Sequence, residues 1–168
     1  RAALVHDVGM HGVPATILEK AGPLTSTESE RMRMHSYYTE RTLARPPALA
    51  RIGAVASLAN ERLDGSGYHR GLSGSAIPVA GRVLAAACAF QAMTEPRAYR
   101  PARTPKAAAG ELRNEVRSGR LAAHVEPAEA RQAHDFAGGH AAQHRVAMVA
   151  PCHQRGEHGA DVIVEEQH

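Results

Sequence analysis

The segment IPVAGRVLAAACAFQAM, residues 77–93, is the most apolar part of the chain and contains no charged residue after Arg82. Its apolar side chains recur every three or four positions, which is the period of an α-helix with one buried face. The run is shorter than the roughly 20 apolar residues that a membrane span needs. It therefore predicts a helix buried in the core of a helical protein. The buried face would consist of Val79, Val83, Ala86, Ala87, Phe90 and Met93.

Further helical patterns lie on both sides of this segment. The best-marked start is a capping box at residues 25–28, in which Thr25 and Glu28 satisfy the first free N–H groups of a helix. No segment of useful length alternates with period 2, so we predict an all-α fold. The predicted helices are residues 2–9, 15–20, 26–44, 48–63, 77–93 and 106–118, with a glycine-rich loop at 64–75.

The composition agrees with helix packing. Hydrophobic residues make up 43% of the 168 residues, much of this alanine, and there is no Trp. Two cysteines, Cys88 and Cys152, are too few for a disulfide framework, so we expect reduced thiols and a cytoplasmic protein without a membrane segment. The chain begins with Arg1 inside an apolar helix. We therefore expect it to be N-terminally incomplete.

The charge divides the chain into two parts. Residues 1–120 contain 17 Lys and Arg against 10 Asp and Glu, whereas residues 121–168 contain 3 against 7. A basic first part suits a partner that carries phosphates, although an Arg-rich proteome would give the same charge. The second part holds seven of the eleven histidines without periodicity, and only His140 and His144 have helical ligand spacing. We predict one domain at 1–120 and a poorly ordered His-rich tail at 121–168.

The adjacent pair His6-Asp7 is a candidate metal site. A helix places neighbouring side chains about 100° apart, so an imidazole and a carboxylate can both reach metals over the end of a helix. A carboxylate can bridge two ions, which suits a hydrolytic centre where a metal-bound hydroxide attacks phosphorus. The alternative interpretation is a chance dipeptide at a helix end.

Two further segments carry polar chemistry. The loop DGSGYHRGL, residues 64–72, combines glycines with Tyr68 and follows Glu61. The segment TEPRAYRP, residues 94–101, offers Arg97 and Arg100, which together could hold two phosphates of one ligand. Taken separately, each segment could be an ordinary surface loop.

Taken in series, these segments resemble the HD-GYP family of phosphohydrolases. HDVGMHGVP is similar to the family pattern HDxGKxxxP, and NERLDGSGYHRGL is similar to HHExxDGxGYPxGL. The run LAAACAFQAMTEPRAYRP is similar to its helix with a metal-binding aspartate followed by RxYR. The order and spacing agree over residues 2–120, which is more specific than any single motif. The resemblance implies a helical HD-superfamily bundle with a two- or three-metal centre that hydrolyses cyclic di-GMP in bacterial signal transduction.

The resemblance transfers roles to individual residues. His6, Asp7 and His35 match metal ligands, and Asp7 is the candidate catalytic residue. Tyr68, Arg97 and Arg100 match positions that contact the substrate. Glu61 and Asp64 match acidic positions that are expected to order the loop. The implied cofactor is a divalent metal, iron or manganese, and the implied partner is a cyclic dinucleotide.

The sequence departs from the family pattern at several metal positions. Ala59 and Asn60 replace two histidines, and Cys88 replaces the metal-binding aspartate. Ala59 has no donor atom, Asn60 offers only a neutral oxygen, and a Cys88 thiolate prefers softer metals such as zinc. Met10 replaces the lysine of HDxGK, and His69 replaces the proline of GYP. Asn60 and Cys88 remain candidate ligands of altered chemistry.

Three interpretations of function follow. The chain is a phosphodiesterase of impaired activity, a degenerate module that binds a nucleotide or a signalling protein without turnover, or a non-functional fragment. Retained Tyr68, Arg97 and Arg100 beside lost metal ligands favour the module. No segment suggests direct nucleic-acid binding.

Overall fold

The computed structural model describes residues 1–97 and 99–123, and these residues are mostly helical. Within them the only β-type pairings are two isolated bridges, Asp64 with Ser73 and Arg97 with Arg100. This confirms the predicted all-α fold. The helices are α1 Ala2–Val5, α2 Ala15–Leu18, α3 Ser26–Ala44, α4 Pro47–Ala56, α5 Val79–Thr94 and α6 Pro105–Arg117, with 3-10 helices at Val8–Gly12 and Gly74–Ala76. The predicted His-rich tail lies outside the described residues, except for its first three.

Helix α3 starts where the capping box predicts. Thr25 Oγ1 accepts from the N–H of Glu28 at 3.3 Å, and Glu28 Oε2 accepts from the N–H of Thr25 at 2.7 Å. Lys20 adds an ion pair to the same carboxylate at 2.6 Å. The helix ends at Ala44, just before the two prolines. It is the longest helix of the described part, and it supports the 3-10 helix Val8–Gly12 and α4.

The prediction of a helix over 48–63 is wrong in its second half, since α4 ends at Ala56. The backbone then tightens, with the N–H of Leu58 donating to Val55 and that of Ala59 to Ala56. Beyond the helix, the carbonyl of Asn60 accepts from the N–H of Tyr68 at 3.1 Å. This bond ties the glycine-rich loop back to the segment that follows α4.

The predicted helix over 2–9 is also shorter than expected, because α1 stops at Val5 and a 3-10 helix follows at Val8–Gly12. The cause is close packing against α3. A Cβ on Gly9 would lie 2.0 Å from the carbonyl oxygen of His35 and 2.5 Å from the backbone nitrogen of Thr39. The backbone near Gly9 therefore follows the surface of α3 instead of continuing α1.

The main hydrophobic cluster lies between α5 and α6. Small side chains let the helices approach closely, and Ala108 is completely buried. The N–H groups of Arg120 and Leu121 both donate to the carbonyl of Glu115, which turns the chain back onto the cluster. Residues just beyond the predicted boundary at 120 are thus part of the core. The cluster consists of Ala85, Ala86, Phe90, Ala108, Ala109, Leu112, Leu121 and Ala122.

None of the helices in the described residues has the length and apolar character needed to cross a lipid bilayer.

Candidate functional site

The His6-Asp7 pair is fixed against the middle of α3 by Thr39. Thr39 Oγ1 donates to the carbonyl of His6 at 2.9 Å and accepts from the N–H of Gly9 at 3.0 Å. Thr39 is fully buried, so both bonds are shielded from water. Residue 9 must be a glycine, because a Cβ on Gly9 would collide with the backbone of His35. The sequence HDVG thus places the pair beside His35, one helical turn before Thr39.

The His6 ring is buried, and a hydrogen bond fixes one side of it. Its Nδ1 donates to the carbonyl of Ala3 at 2.8 Å, whereas Nε2 has no hydrogen-bond partner among the described residues and lies 3.2 Å from Asp7 Oδ2. Burial alone would lower the pKa of His6, but the neighbouring Cys88 and Asp7 outweigh it and raise that pKa to about 10. His6 thus faces a carboxylate and a sulfur atom that both favour its charged form.

The His35 ring is buried on α3, and both of its nitrogens have neighbours. Nδ1 donates to the carbonyl of Met32 at 2.6 Å, which leaves the lone pair on Nε2. The amide nitrogen of Asn60 lies 3.1 Å from that Nε2, and Ser36 Oγ lies 3.4 Å from it. Burial lowers the pKa of His35, so the ring is neutral. The amide of Asn60 thus donates to Nε2, the nitrogen with which His35 would bind a metal.

Cys88 and Ala59 lie in an apolar environment. Cys88 is buried on α5 and packs in a cluster with Ala59 and Leu84. Ala2, Ala3 and Val55 pack against this cluster. The residues around the thiol are therefore aliphatic on most sides, with His6 as its polar neighbour.

Glu61 orders the glycine-rich loop, as predicted. Its side chain is 1% exposed, and its two oxygens accept from the N–H groups of Arg70 at 2.8 Å and Leu72 at 2.9 Å. Asp64 closes the start of the loop by accepting from the N–H and hydroxyl of Ser66. Both acidic residues thus support the loop backbone, which confirms the predicted role.

The loop presents Tyr68 to the predicted site. The Tyr68 ring meets His35 edge-to-face with centroids 5.9 Å apart, and the Arg33 guanidinium lies 5.7 Å from the Tyr68 centroid. Its hydroxyl is buried and has no hydrogen-bond partner in the described part of the chain. Burial raises the pKa of Tyr68, so the hydroxyl stays protonated and can donate.

Arg97 brings a buried positive charge to the same region. It is 9% exposed, and only its Nε is engaged, donating to the carbonyl of Ala92 at 3.2 Å. Its two terminal nitrogens are buried without partners among residues 1–97 and 99–123. Burial lowers the pKa of Arg97, yet a guanidinium remains charged at neutral pH. The charge of Asp7 acts on both Arg97 and Tyr68, so the three groups belong to the same region of the fold.

Arg100 has a different environment from Arg97. Its guanidinium donates to the carbonyls of Ala92, Met93 and Pro101 and so caps the C-terminal end of α5. The two arginines exchange backbone hydrogen bonds of 2.9 and 3.1 Å across a tight turn. The structure thus assigns Arg100 a capping role, and its predicted contact with substrate remains a prediction.

A polar group centred on Glu40 was not predicted from the sequence. Glu40 Oε2 accepts from His69 Nε2 at 2.8 Å, and Glu40 also forms an ion pair with Arg70. Burial lowers the pKa of His69, so this ring is a neutral donor to the carboxylate. Helical spacing gave no signal for this group, because the partners of Glu40 lie 29 and 30 residues away in the glycine-rich loop.

Comparison with known proteins decides the family. The sequence profile described as HD domain matches residues 1–125. The chain belongs to the HD-domain family. Its resemblance to the HD-GYP branch is confirmed by relatives that are cyclic dinucleotide phosphodiesterases.

The relatives are much longer than this HD domain. A 3'3'-cGAMP-specific phosphodiesterase of Vibrio cholerae is 39% identical over 122 residues, which cover 73% of this chain and 28% of the relative. A cyclic di-GMP phosphodiesterase of Thermotoga maritima is 43% identical over 101 residues, covering 59% of this chain and 27% of the relative. The chain thus spans about a quarter of the length of these relatives.

HD-domain phosphohydrolases are metal-dependent, but the residues of this HD domain that the structure describes do not form a metal centre. Within residues 1–97 and 99–123, no three His, Cys, Asp or Glu side chains are arranged to hold an ion. His6, Asp7 and His35 are neighbours, yet Asn60 covers Nε2 of His35. Ala59 has no donor atom, so it adds no ligand.

Proposed function

We propose that this HD domain acts on a cyclic dinucleotide, as the phosphohydrolase domain of an HD-GYP-type phosphodiesterase in which hydrolysis is impaired. The substrate class comes from the relatives, whose names specify cyclic di-GMP or 3'3'-cGAMP. Both ligands carry two phosphodiesters and at least one guanine base, so we propose a 3'3'-linked cyclic dinucleotide. A signalling protein as a further partner, and a cytoplasmic location, remain predictions.

The observation that carries this proposal is the buried Arg97 guanidinium with two free nitrogens. An unpaired buried charge is costly, and a bound anion relieves this cost by accepting from both N–H groups. A phosphodiester has two non-bridging oxygens that match the planar fork of an arginine. Arg97 therefore favours a phosphate ligand.

Tyr68 extends the same site. Its buried hydroxyl is protonated and has no partner in the described part of the chain, so it can donate to a second phosphate oxygen. Its ring is already fixed by His35 and Arg33, so little side-chain freedom is lost on binding. Arg97 and Tyr68 together would hold one phosphodiester.

Hydrolysis has weaker support than binding. Asp7 remains the candidate catalytic residue, since its carboxylate lies beside His6 and acts on Arg97 and Tyr68. The predicted iron or manganese ion has no assembled ligand set in the described residues. A second candidate function is therefore binding without turnover, which the Asn60 contact with His35 favours.

Binding and turnover should be measured separately. Isothermal titration with cyclic di-GMP and with 3'3'-cGAMP should show binding to the unmodified chain, and Arg97→Ala should weaken it about 10-fold to 100-fold, the value of a charge-assisted hydrogen bond. Arg113→Ala is the matched control, because it removes the same charge from an exposed position on α6. Equal affinity of the Arg97 variant and the unmodified chain would refute the proposed site.

Turnover is followed by chromatography of the linear product with manganese or iron present. A rate that rises with added metal supports the impaired phosphodiesterase. Binding with no product supports the module without turnover.

A further inference from the structure

We infer that hydrogen bonds of Asn60 replace metal coordination in this HD domain, and that Asn60 closes the site to divalent cations. The lone pair on Nε2 of His35 accepts from Asn60 whichever nucleotide binds. A hydrogen bond thus stands in the place of the missing metal ligands.

The tautomer of His35 is fixed by its environment. Nδ1 lies 2.6 Å from the carbonyl of Met32, so the ring proton is on Nδ1 and Nε2 carries the lone pair. This is the arrangement of a metal-binding histidine whose other nitrogen donates to a carbonyl. His35 is thus prepared as a ligand, and only the group facing Nε2 decides what it binds.

That group is the amide nitrogen of Asn60. It lies 3.1 Å from His35 Nε2 and 3.1 Å from Ser36 Oγ, so both of its hydrogens have acceptors. The opposite orientation of the amide would direct a carbonyl oxygen at the lone pair, which is repulsive. The hydrogen-bond network therefore fixes the amide as a donor.

Burial of both acceptors strengthens this arrangement. His35 is 3% exposed and Ser36 is 2% exposed, so their acceptor atoms are shielded from water, while Asn60 itself is partly buried. A cation at Nε2 would have to displace the amide from both acceptors. On the other side of the site, Cys88 and Ala59 pack with Leu84 and add no carboxylate that could compensate.

The isosteric change Asn60→Asp reverses this arrangement. The new carboxylate has the same shape but accepts instead of donating, so it faces the lone pair of His35 with negative charge. Asp7, on the turn that packs against His35 through Gly9, adds a second carboxylate. Two carboxylates and an imidazole form a ligand set for zinc or manganese.

The test compares metal uptake in matched variants. The unmodified chain, Asn60→Asp and Asn114→Asp are incubated with Zn²⁺ or Mn²⁺, desalted and measured by elemental analysis. Asn114 is exposed on α6, so its variant controls for the added negative charge. We expect stoichiometric metal in Asn60→Asp alone, together with a Tm that rises on adding metal.

Stoichiometric metal in the unmodified chain, or none in a folded Asn60→Asp, would overturn the inference. If that variant does not fold, NMR signals of the histidine rings in the unmodified chain test the inference instead. On titration with Zn²⁺, unchanged His35 signals support closure by Asn60, and shifted signals contradict it. Nucleotide binding is measured separately, so failure of this inference is distinguishable from failure of the proposed function.

Discussion

Thr39 Oγ1 lies 2.9 Å from the carbonyl oxygen of His6 and donates a hydrogen bond to it. The same hydroxyl accepts from the N–H of Gly9, so one side chain satisfies two backbone groups of the turn that carries His6 and Asp7. The position of the candidate site on α3 therefore depends on a residue that has no chemical role of its own.

Replacing Thr39 by Val tests this dependence. Valine has the same shape but cannot hydrogen-bond, so the buried carbonyl of His6 and the N–H of Gly9 lose their partner. We expect a loss of about 1–3 kcal/mol in the free energy of unfolding, measured by urea denaturation. Thr39→Ser is the control, since it keeps the hydroxyl. Equal stability of the valine variant and the unmodified chain would contradict the assigned role.

Gly9→Ala should be more damaging than any change at a surface glycine. Its Cβ would lie 2.0 Å from the backbone oxygen of His35, which cannot move without distorting α3. We expect a destabilisation above about 4 kcal/mol, or failure to fold, followed by circular dichroism during heating. Gly110→Ala is the control. Its Cβ meets no atom within 4 Å inside α6, so about 0.5–1 kcal/mol of stabilisation is expected.

Glu61→Gln should loosen the glycine-rich loop. A glutamine offers one acceptor oxygen and directs an amide NH₂ at the second backbone N–H, so one of the bonds to Arg70 and Leu72 is lost. We expect the free energy of local opening at these two amides, measured by hydrogen exchange, to fall by about 1–3 kcal/mol. Glu30→Gln, at a side chain that is 73% exposed, should leave their exchange unchanged.

The start of α3 should respond to acid through Glu28. Hydrogen bonds from Lys20 and from the N–H of Thr25 lower the pKa of Glu28 from its ordinary value of 4.5 to about 2. Because the folded-state pKa is the lower one, its contribution is complete above pH 4.5 and is lost as the pH falls toward 2. Glu28→Gln should therefore be less stable than the unmodified chain at pH 7 and equal to it near pH 2. Stability curves that stay parallel over this range would show that the ion pair contributes nothing.

The sequence predicted the parts of the fold that depend on local signals. The start of α3 follows from a capping box, and α5 follows from apolar periodicity. The end of α4 was not predictable in this way. The segment after Ala56 is tied to the loop by a bond between Asn60 and Tyr68, which are eight residues apart and meet only when the loop folds back.

The same distinction between local signals and tertiary contacts applies to the candidate site. Resemblance to the family motifs assigned His6, Asp7, His35, Tyr68 and Arg97 to the site, and these assignments remain predictions. The direction of a side chain is decided by its tertiary neighbours. Arg97 and Arg100 look equivalent in the sequence, yet one keeps two free nitrogens and the other caps α5. Asn60 was recognised as a weak ligand, but its action as a donor to His35 required the structure.

The most direct test of this account is the affinity for cyclic di-GMP, measured by isothermal titration in EDTA and again in excess Mn²⁺. If Arg97 and Tyr68 hold the phosphodiester without a metal ion, the dissociation constant will be the same in both conditions. Binding that appears only with Mn²⁺ would contradict the account and show that a metal centre forms at His6, Asp7 and His35.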